Sequence, residues 1–169
     1  TRELLERLRE RVPGVALRTT LLVGFPGETE AEFEELRRFA AEQRFERLGV
    51  FAFSPESGTA AARLRAGRVP HAAAQARRDI LMRQQQEISR GRNEDLVGQV
   101  MRVIVDGRAA DGDIVARTTA DAPEIDGLVH VRTPAGRGRA GFMTVRITGA
   151  DHYDLYAAPT RSRPRPPSP

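Results

Sequence analysis

Two hydrophobic periodicities divide this 169-residue chain and predict its fold class, an α/β part followed by an all-β part. Residues 15–53 read as apolar strand, amphipathic helix and apolar strand, the pattern of a parallel sheet with a right-handed crossover. From Val97 to Tyr156 apolar and polar residues alternate in short runs separated by Asp-Gly pairs, the pattern of antiparallel strands. Between them, residues 71–95 keep a helical spacing and read as a connector.

Taken in order, residues 1–12 put Leu4, Leu5, Leu8 and Val12 on one helical face, and Pro13-Gly14 stops that helix. Residues 15–23 are nearly continuous in apolar character, as suits a strand covered on both faces. Period two sets Arg18, Thr20 and Leu22 on one side of it. Residues 29–43 form the crossover helix, with Phe33, Leu36, Phe39 and Ala40 inward; Thr29 and Glu32 have the spacing of a capping box. Residues 47–53 form the second strand, and Ser54-Pro55 ends it. Residues 54–70 read as a loop. In the helix that follows, Ile80, Leu81, Ile88 and Leu96 make the apolar face. Five short strands then indicate a small antiparallel barrel of OB-like size. Residues 158–169, rich in Pro, Ser and Arg, are expected to be a disordered tail. Phe33, Phe39, Phe45 and Phe51 are expected in the core.

Composition excludes several classes. Without cysteine the chain has neither disulfides nor thiolate metal sites, and His71, His130 and His152 match no ligand spacing. No run of apolar residues approaches the ~20 needed to span a membrane. The pI of about 10.7 suggests nucleic acid, but all 27 basic residues are Arg and they are spread along the chain. Residues 97–157 carry 7 Arg against 8 acids, so the barrel lacks the concentrated basic face of a nucleic-acid module.

The stretch Val23-Gly24-Phe25-Pro26-Gly27-Glu28-Thr29 is the first place to seek chemistry, because ligands of α/β sheets bind beyond the carboxyl ends of the strands. Gly24 and Gly27 permit positive φ and close backbone approach, while Pro26 fixes one φ between them. Any strand-to-helix turn can use these residues, so a purely structural role stands beside the functional one. No Gly-Lys-Ser/Thr follows, which argues against a nucleoside-triphosphate loop. Ser54 and Ser57 have no nearby base, which argues against a hydrolase.

These residues carry a family resemblance. Val23 to Thr29 resembles the glycine-rich segment after the fifth barrel strand of radical S-adenosylmethionine methylthiotransferases. Val50-Phe51-Ala52-Phe53-Ser54-Pro55-Glu56-Ser57-Gly58-Thr59 resembles their sixth strand and its loop, and Val97 to Tyr156 their C-terminal TRAM domain. The resemblance implies residues 1–70 as the C-terminal part of a partial (β/α) radical barrel, 71–96 as a linker helix, 97–157 as the TRAM barrel and 158–169 as the tail. Residues 120–127 (Ala-Asp-Ala-Pro-Glu-Ile-Asp-Gly) and 148–156 (Thr-Gly-Ala-Asp-His-Tyr-Asp-Leu-Tyr) are similar to the branch that methylthiolates the β-carbon of an aspartate on small-subunit ribosomal protein twelve. The competing branch modifies a tRNA adenosine; a competitor of another class is a stand-alone binding module whose barrel alone is functional.

The resemblance further implies S-adenosylmethionine and two [4Fe–4S] clusters, used to generate a carbon radical and to insert sulfur. Cluster iron requires thiolates, so this chain ligates neither cluster, supplies no catalytic or metal-binding residue and is expected to be inactive alone. Its role would be to hold the cofactor, with candidates Arg18, Thr20, Gly24, Phe25, Pro26, Gly27, Phe53 and Ser54. Glu28 is expected to fix the turn by accepting backbone N–H bonds. Arg18 could pair with the cofactor carboxylate or, equally, with a barrel acid outside this chain. Asp121, Glu124 and Asp126 form an acidic loop suited to a basic protein substrate, although Asp121 and Asp126 could equally be turn formers. A cytoplasmic monomer with a ribosomal-protein substrate, no membrane and no nucleic-acid partner is implied. The missing initiator Met and the two lone parallel strands lead us to expect a part of a longer enzyme.

Overall fold

A computed structural model describes residues 1–64, 67–133 and 141–160. The chain divides into two compact units, residues 1–88 and 89–169.

In the first unit, α1 (Arg2–Arg11) precedes β1 (Arg18–Val23), α2 (Glu30–Gln43) and β2 (Arg47–Ala52). The two strands pair in parallel, Arg18 opposite Arg47 through Val23 opposite Ala52. A short helix, α3 (Ala60–Arg63), lies in the stretch read as loop, started by Thr59, whose hydroxyl accepts the Ala62 N–H. The long helix α4 (His71–Glu94) follows. The core is Val23, Phe33, Ala40, Val50 and Leu81, so the first turns of α4 belong to this unit's core rather than to a free connector.

The expectation that β1 is covered on both faces is not met. Thr19, Leu21 and Val23 turn toward the helices, while Arg18, Thr20 and Leu22 lie on an exposed face. Phe51, expected in the core, sits on that face opposite Leu22 and is 63% exposed. Both α2 and α4 contribute core residues on one side of the two-stranded sheet; among the described residues no element covers the other. The apolar edge of α1 is likewise open at Leu4, Leu8 and Val12.

The second unit is a closed barrel in the order β3-β4-β5-β7-β6, formed by β3 (Val100–Arg108), β4 (Ile114–Arg117), β5 (Val129–Val131), β6 (Gly141–Ala150) and β7 (Leu155–Pro159). Alternation works as the sequence implies: Val103, Ile114, Ala116, Val129, Val131, Val145, Ile147, Leu155 and Ala157 point inward and fill the interior. The expected all-antiparallel pairing needs one correction. β5 and β7 pair in parallel, Val129 opposite Leu155, because β6 intervenes in sequence and β7 returns to close the barrel beside β5. β7 also runs to Pro159, into the stretch read as tail; residues 161–169 lie outside the described residues.

Candidate functional site

The glycine turn is built as a clamp. Val23 ends β1, and Gly24 adopts φ +77°, which an L side chain resists. A Cβ on Gly24 would also collide with the Ala74 methyl of α4, so this glycine serves helix packing as well as backbone geometry. Glu28 folds back over the turn: its Oε2 accepts the Gly24 N–H at 2.7 Å, the role expected for it. The other oxygen, Oε1, accepts from Arg77 at 2.7 Å. Arg77 also reaches Glu30 Oε2 at 2.8 Å and lies 5.2 Å from the Phe33 ring centre. The Arg77 and Glu28 side chains are only 11% and 13% exposed. Burial opposes the Arg77 charge, but its bonds to Glu30 and Glu28 outweigh that and hold its pKa above the ordinary value. Arg77 lies 49 residues from Glu28, which is why spacing along the chain could not find it.

The rest of the turn is pinned from the other side. Gly27 N–H donates to the Gly67 carbonyl at 2.8 Å, and Glu28 N–H to the Phe25 carbonyl at 2.9 Å. Gly27, at φ +97°, has open space where a Cβ would stand. Phe25 is exposed and meets Phe53 edge to face at 5.2 Å, so the ends of the two parallel strands carry a joint aromatic surface. Ser54 is exposed beside it. The capping box is present: Thr29 Oγ1 accepts the Glu32 N–H, and Glu32 accepts the Thr29 N–H at 2.8 Å, which lowers the Glu32 pKa.

Of the eight candidates for holding a cofactor, the structure therefore brings together Gly24, Phe25, Pro26, Gly27, Phe53 and Ser54. Arg18 and Thr20 share the exposed strand face but begin β1, and Arg18 stands about 16 Å from Val23 along the strand at ~3.3 Å per residue. A ligand touching both Arg18 and the turn must extend along that face.

In the barrel the acidic loop resolves into two kinds of residue. Asp121 is buried, and its Oδ2 accepts the Thr118 hydroxyl at 2.6 Å and the Thr118 N–H at 3.1 Å. Asp126 Oδ2 accepts the Ala122 N–H at 2.7 Å. Both fold the loop. Glu124 sits exposed at its tip in a left-handed conformation, φ 62°. Among the described residues there is no group of His, Asp or Glu that could hold a metal ion, and the chain has no cysteine.

Residues 97–159 match the TRAM domain model. A ribosomal protein uS12 methylthiotransferase RimO of Anaeromyxobacter sp. (strain Fw109-5) is 54% identical over 157 residues, 91% of this chain and 33% of that protein. That of Anaeromyxobacter sp. (strain K) is 49% identical over 99% of this chain and 37% of its own length. That of Parabacteroides distasonis is 49% identical over 92% and 36%. No helix among the described residues is long and apolar enough to cross a membrane. In sequence the chain thus belongs to the family of RimO-type methylthiotransferases, and it spans about a third of the length of the curated relatives it matches.

Proposed function

We propose that this chain is the part of a uS12 methylthiotransferase that seats S-adenosylmethionine against the glycine turn and captures the protein substrate on the barrel. The observation that carries the reading is the clamped turn at the carboxyl ends of two parallel strands, beside an uncovered sheet face, in a chain that matches these enzymes. Phe25 and Phe53 offer aromatic surface to an adenine. Gly27 admits the ligand close to the backbone, and the Ser54 hydroxyl can serve as donor or acceptor. Arg18 is placed to pair with a ligand carboxylate if the cofactor lies along the exposed strand face, with Thr20 between. Bound at a cluster, S-adenosylmethionine supplies the radical chemistry; this chain has no thiolate to hold iron, so its residues bind and orient only. The enzyme's clusters would be ligated outside these residues.

One observation favours a second reading. The Arg102 guanidinium lies 3.8 Å from the centre of the Phe142 ring, which is itself exposed on the outer face of β6, an arrangement that suits stacking against a nucleobase. That would fit a tRNA substrate.

A chimera decides between them. The matching segment of the Anaeromyxobacter sp. (strain Fw109-5) enzyme is replaced by this chain and expressed in cells lacking their own methylthiotransferases. The expected result is a methylthio group on uS12 by mass spectrometry. A chimera loaded with iron and sulfur that modifies tRNA and leaves uS12 unmodified would contradict the proposal.

A further inference from the structure

The segments 120–127 and 148–156 are separated in sequence but meet at the β5 end of the barrel. Leu128 N–H donates to Asp154 Oδ1 at 2.7 Å, and Leu155 N–H to the Leu128 carbonyl at 2.8 Å. Gly127 lies so close to the Tyr153 carbonyl that no side chain fits there. His130 stacks on Tyr156, rings 5.6 Å apart at 23°, and its Nε2 stands 3.3 Å from Asp154 Oδ2. Asp151 Oδ1 accepts the N–H groups of Tyr153 and Asp154, both at 2.8 Å, and its Oδ2 accepts the Tyr156 hydroxyl at 3.0 Å.

The outcome is a rigid shelf that faces solvent. Tyr153, Tyr156 and Ile125 are 56%, 45% and 73% exposed, yet Tyr156 lies on β7 and the loop segments that carry the other two are pinned by hydrogen bonds at Asp151 and Asp126. Their apolar exposure gains nothing for the folded chain by itself, and pre-ordered tyrosines are the side chains that dominate binding at protein interfaces. Two carboxylates lie at this edge, Asp151 holding the Tyr156 hydroxyl and Asp154 standing beside His130, and among the described residues no guanidinium pairs with either. Exposed tyrosine rings with carboxylates close by attract a cation, most strongly a planar guanidinium.

We infer that this shelf is the docking surface for a basic segment of the protein substrate, an arginine or lysine side chain lying over Tyr153 and Tyr156 while Ile125 meets the adjoining apolar contact. This rests on the reading that the barrel captures a protein. It moves the docking residues away from Asp121 and Asp126, which fold their own loop, to exposed side chains carried on hydrogen-bonded backbone. Glu124, at the loop tip next to Ile125, adds negative charge at the edge.

The test is binding of purified uS12 to this chain, followed by fluorescence anisotropy at several salt concentrations. The double variant Tyr153→Ser/Tyr156→Ser is expected to bind about tenfold more weakly and with a shallower salt dependence. Tyr156→Phe, which keeps the ring, is expected to stay within about twofold. Should the double variant unfold the barrel, Ile125→Arg tests the same surface from an exposed loop tip and is expected to weaken binding about tenfold through like-charge repulsion. Unchanged affinity in folded Tyr153→Ser/Tyr156→Ser, or in Ile125→Arg, overturns the shelf while leaving capture by another face of the barrel intact. Failure of the unaltered chain to bind uS12 overturns both.

Discussion

Arg77 is the residue on which the glycine turn depends. Glu28 divides its oxygens between the Gly24 N–H and Arg77, both in a mostly buried setting, so removing the guanidinium leaves a carboxylate with half its partners gone. Arg77→Met is expected to destabilise the first unit by about 3 kcal/mol, as breaking a buried pair from one side does, read from urea unfolding. Arg77→Met/Glu28→Gln should recover part of that loss, because no buried charge is left unpaired and Glu30, which also loses Arg77, is exposed to solvent. Gly24 makes a steric prediction of the same scale. Gly24→Ala combines a left-handed φ with a collision against the Ala74 methyl and should cost about 3 kcal/mol. Adding Ala74→Gly should return the part due to the collision; no recovery would mean the helix does not press on the turn. Asp151 supplies a pH prediction. Backbone N–H bonds from Asp154 and Tyr153, with the Tyr156 hydroxyl, hold its pKa below the ordinary 3.8. A group depressed in the folded state stabilises the barrel above its unfolded value and loses that contribution as the pH falls through the folded one. Asp151→Asn should therefore lower the melting temperature at neutral pH, and the difference should shrink well below pH 3.8.

At the scale of elements, local rules account for what was legible in the sequence. Thr29 and Glu32 announced the capping box of α2 because both partners lie within one turn of helix. Thr29→Ala should cost about 1 kcal/mol, measured by thermal unfolding of the first unit. The alternation read from Val97 onward appears in β4 and β5 as alternating burial, since period two assigns a face without knowledge of the partner strand. What local pattern could not supply was the partner. The open faces carrying Phe51 and Leu22 look apolar in sequence exactly as a covered face does, and only the placement of α2 and α4 shows which side is shielded. The parallel β5–β7 pair was hidden for the same reason: strand order is set by barrel closure, not by the strands' own residues.

For the whole chain, the candidate site was legible where its residues are contiguous and illegible where the fold assembles them. Gly24 to Glu28 stood out as one motif, whereas Arg77 joins it from α4, 49 residues away from Glu28. The barrel shelf shows the same limit. Its segments at 120–127 and 148–156 were singled out separately, but Asp121 and Asp126 could not be told from docking residues until their hydrogen bonds to Thr118 and Ala122 were seen. The two units carry separate cores, which fits a division of labour between cofactor and protein substrate. The measurement that tests this division most directly is steady-state kinetics of the chimeric enzyme with Phe25→Ala and, separately, Tyr153→Ser. The expected result is that Phe25→Ala raises KM for S-adenosylmethionine and leaves KM for uS12 unchanged, while Tyr153→Ser does the reverse. If both substitutions raise the same KM, or neither raises any, the separation of cofactor turn and docking barrel is contradicted.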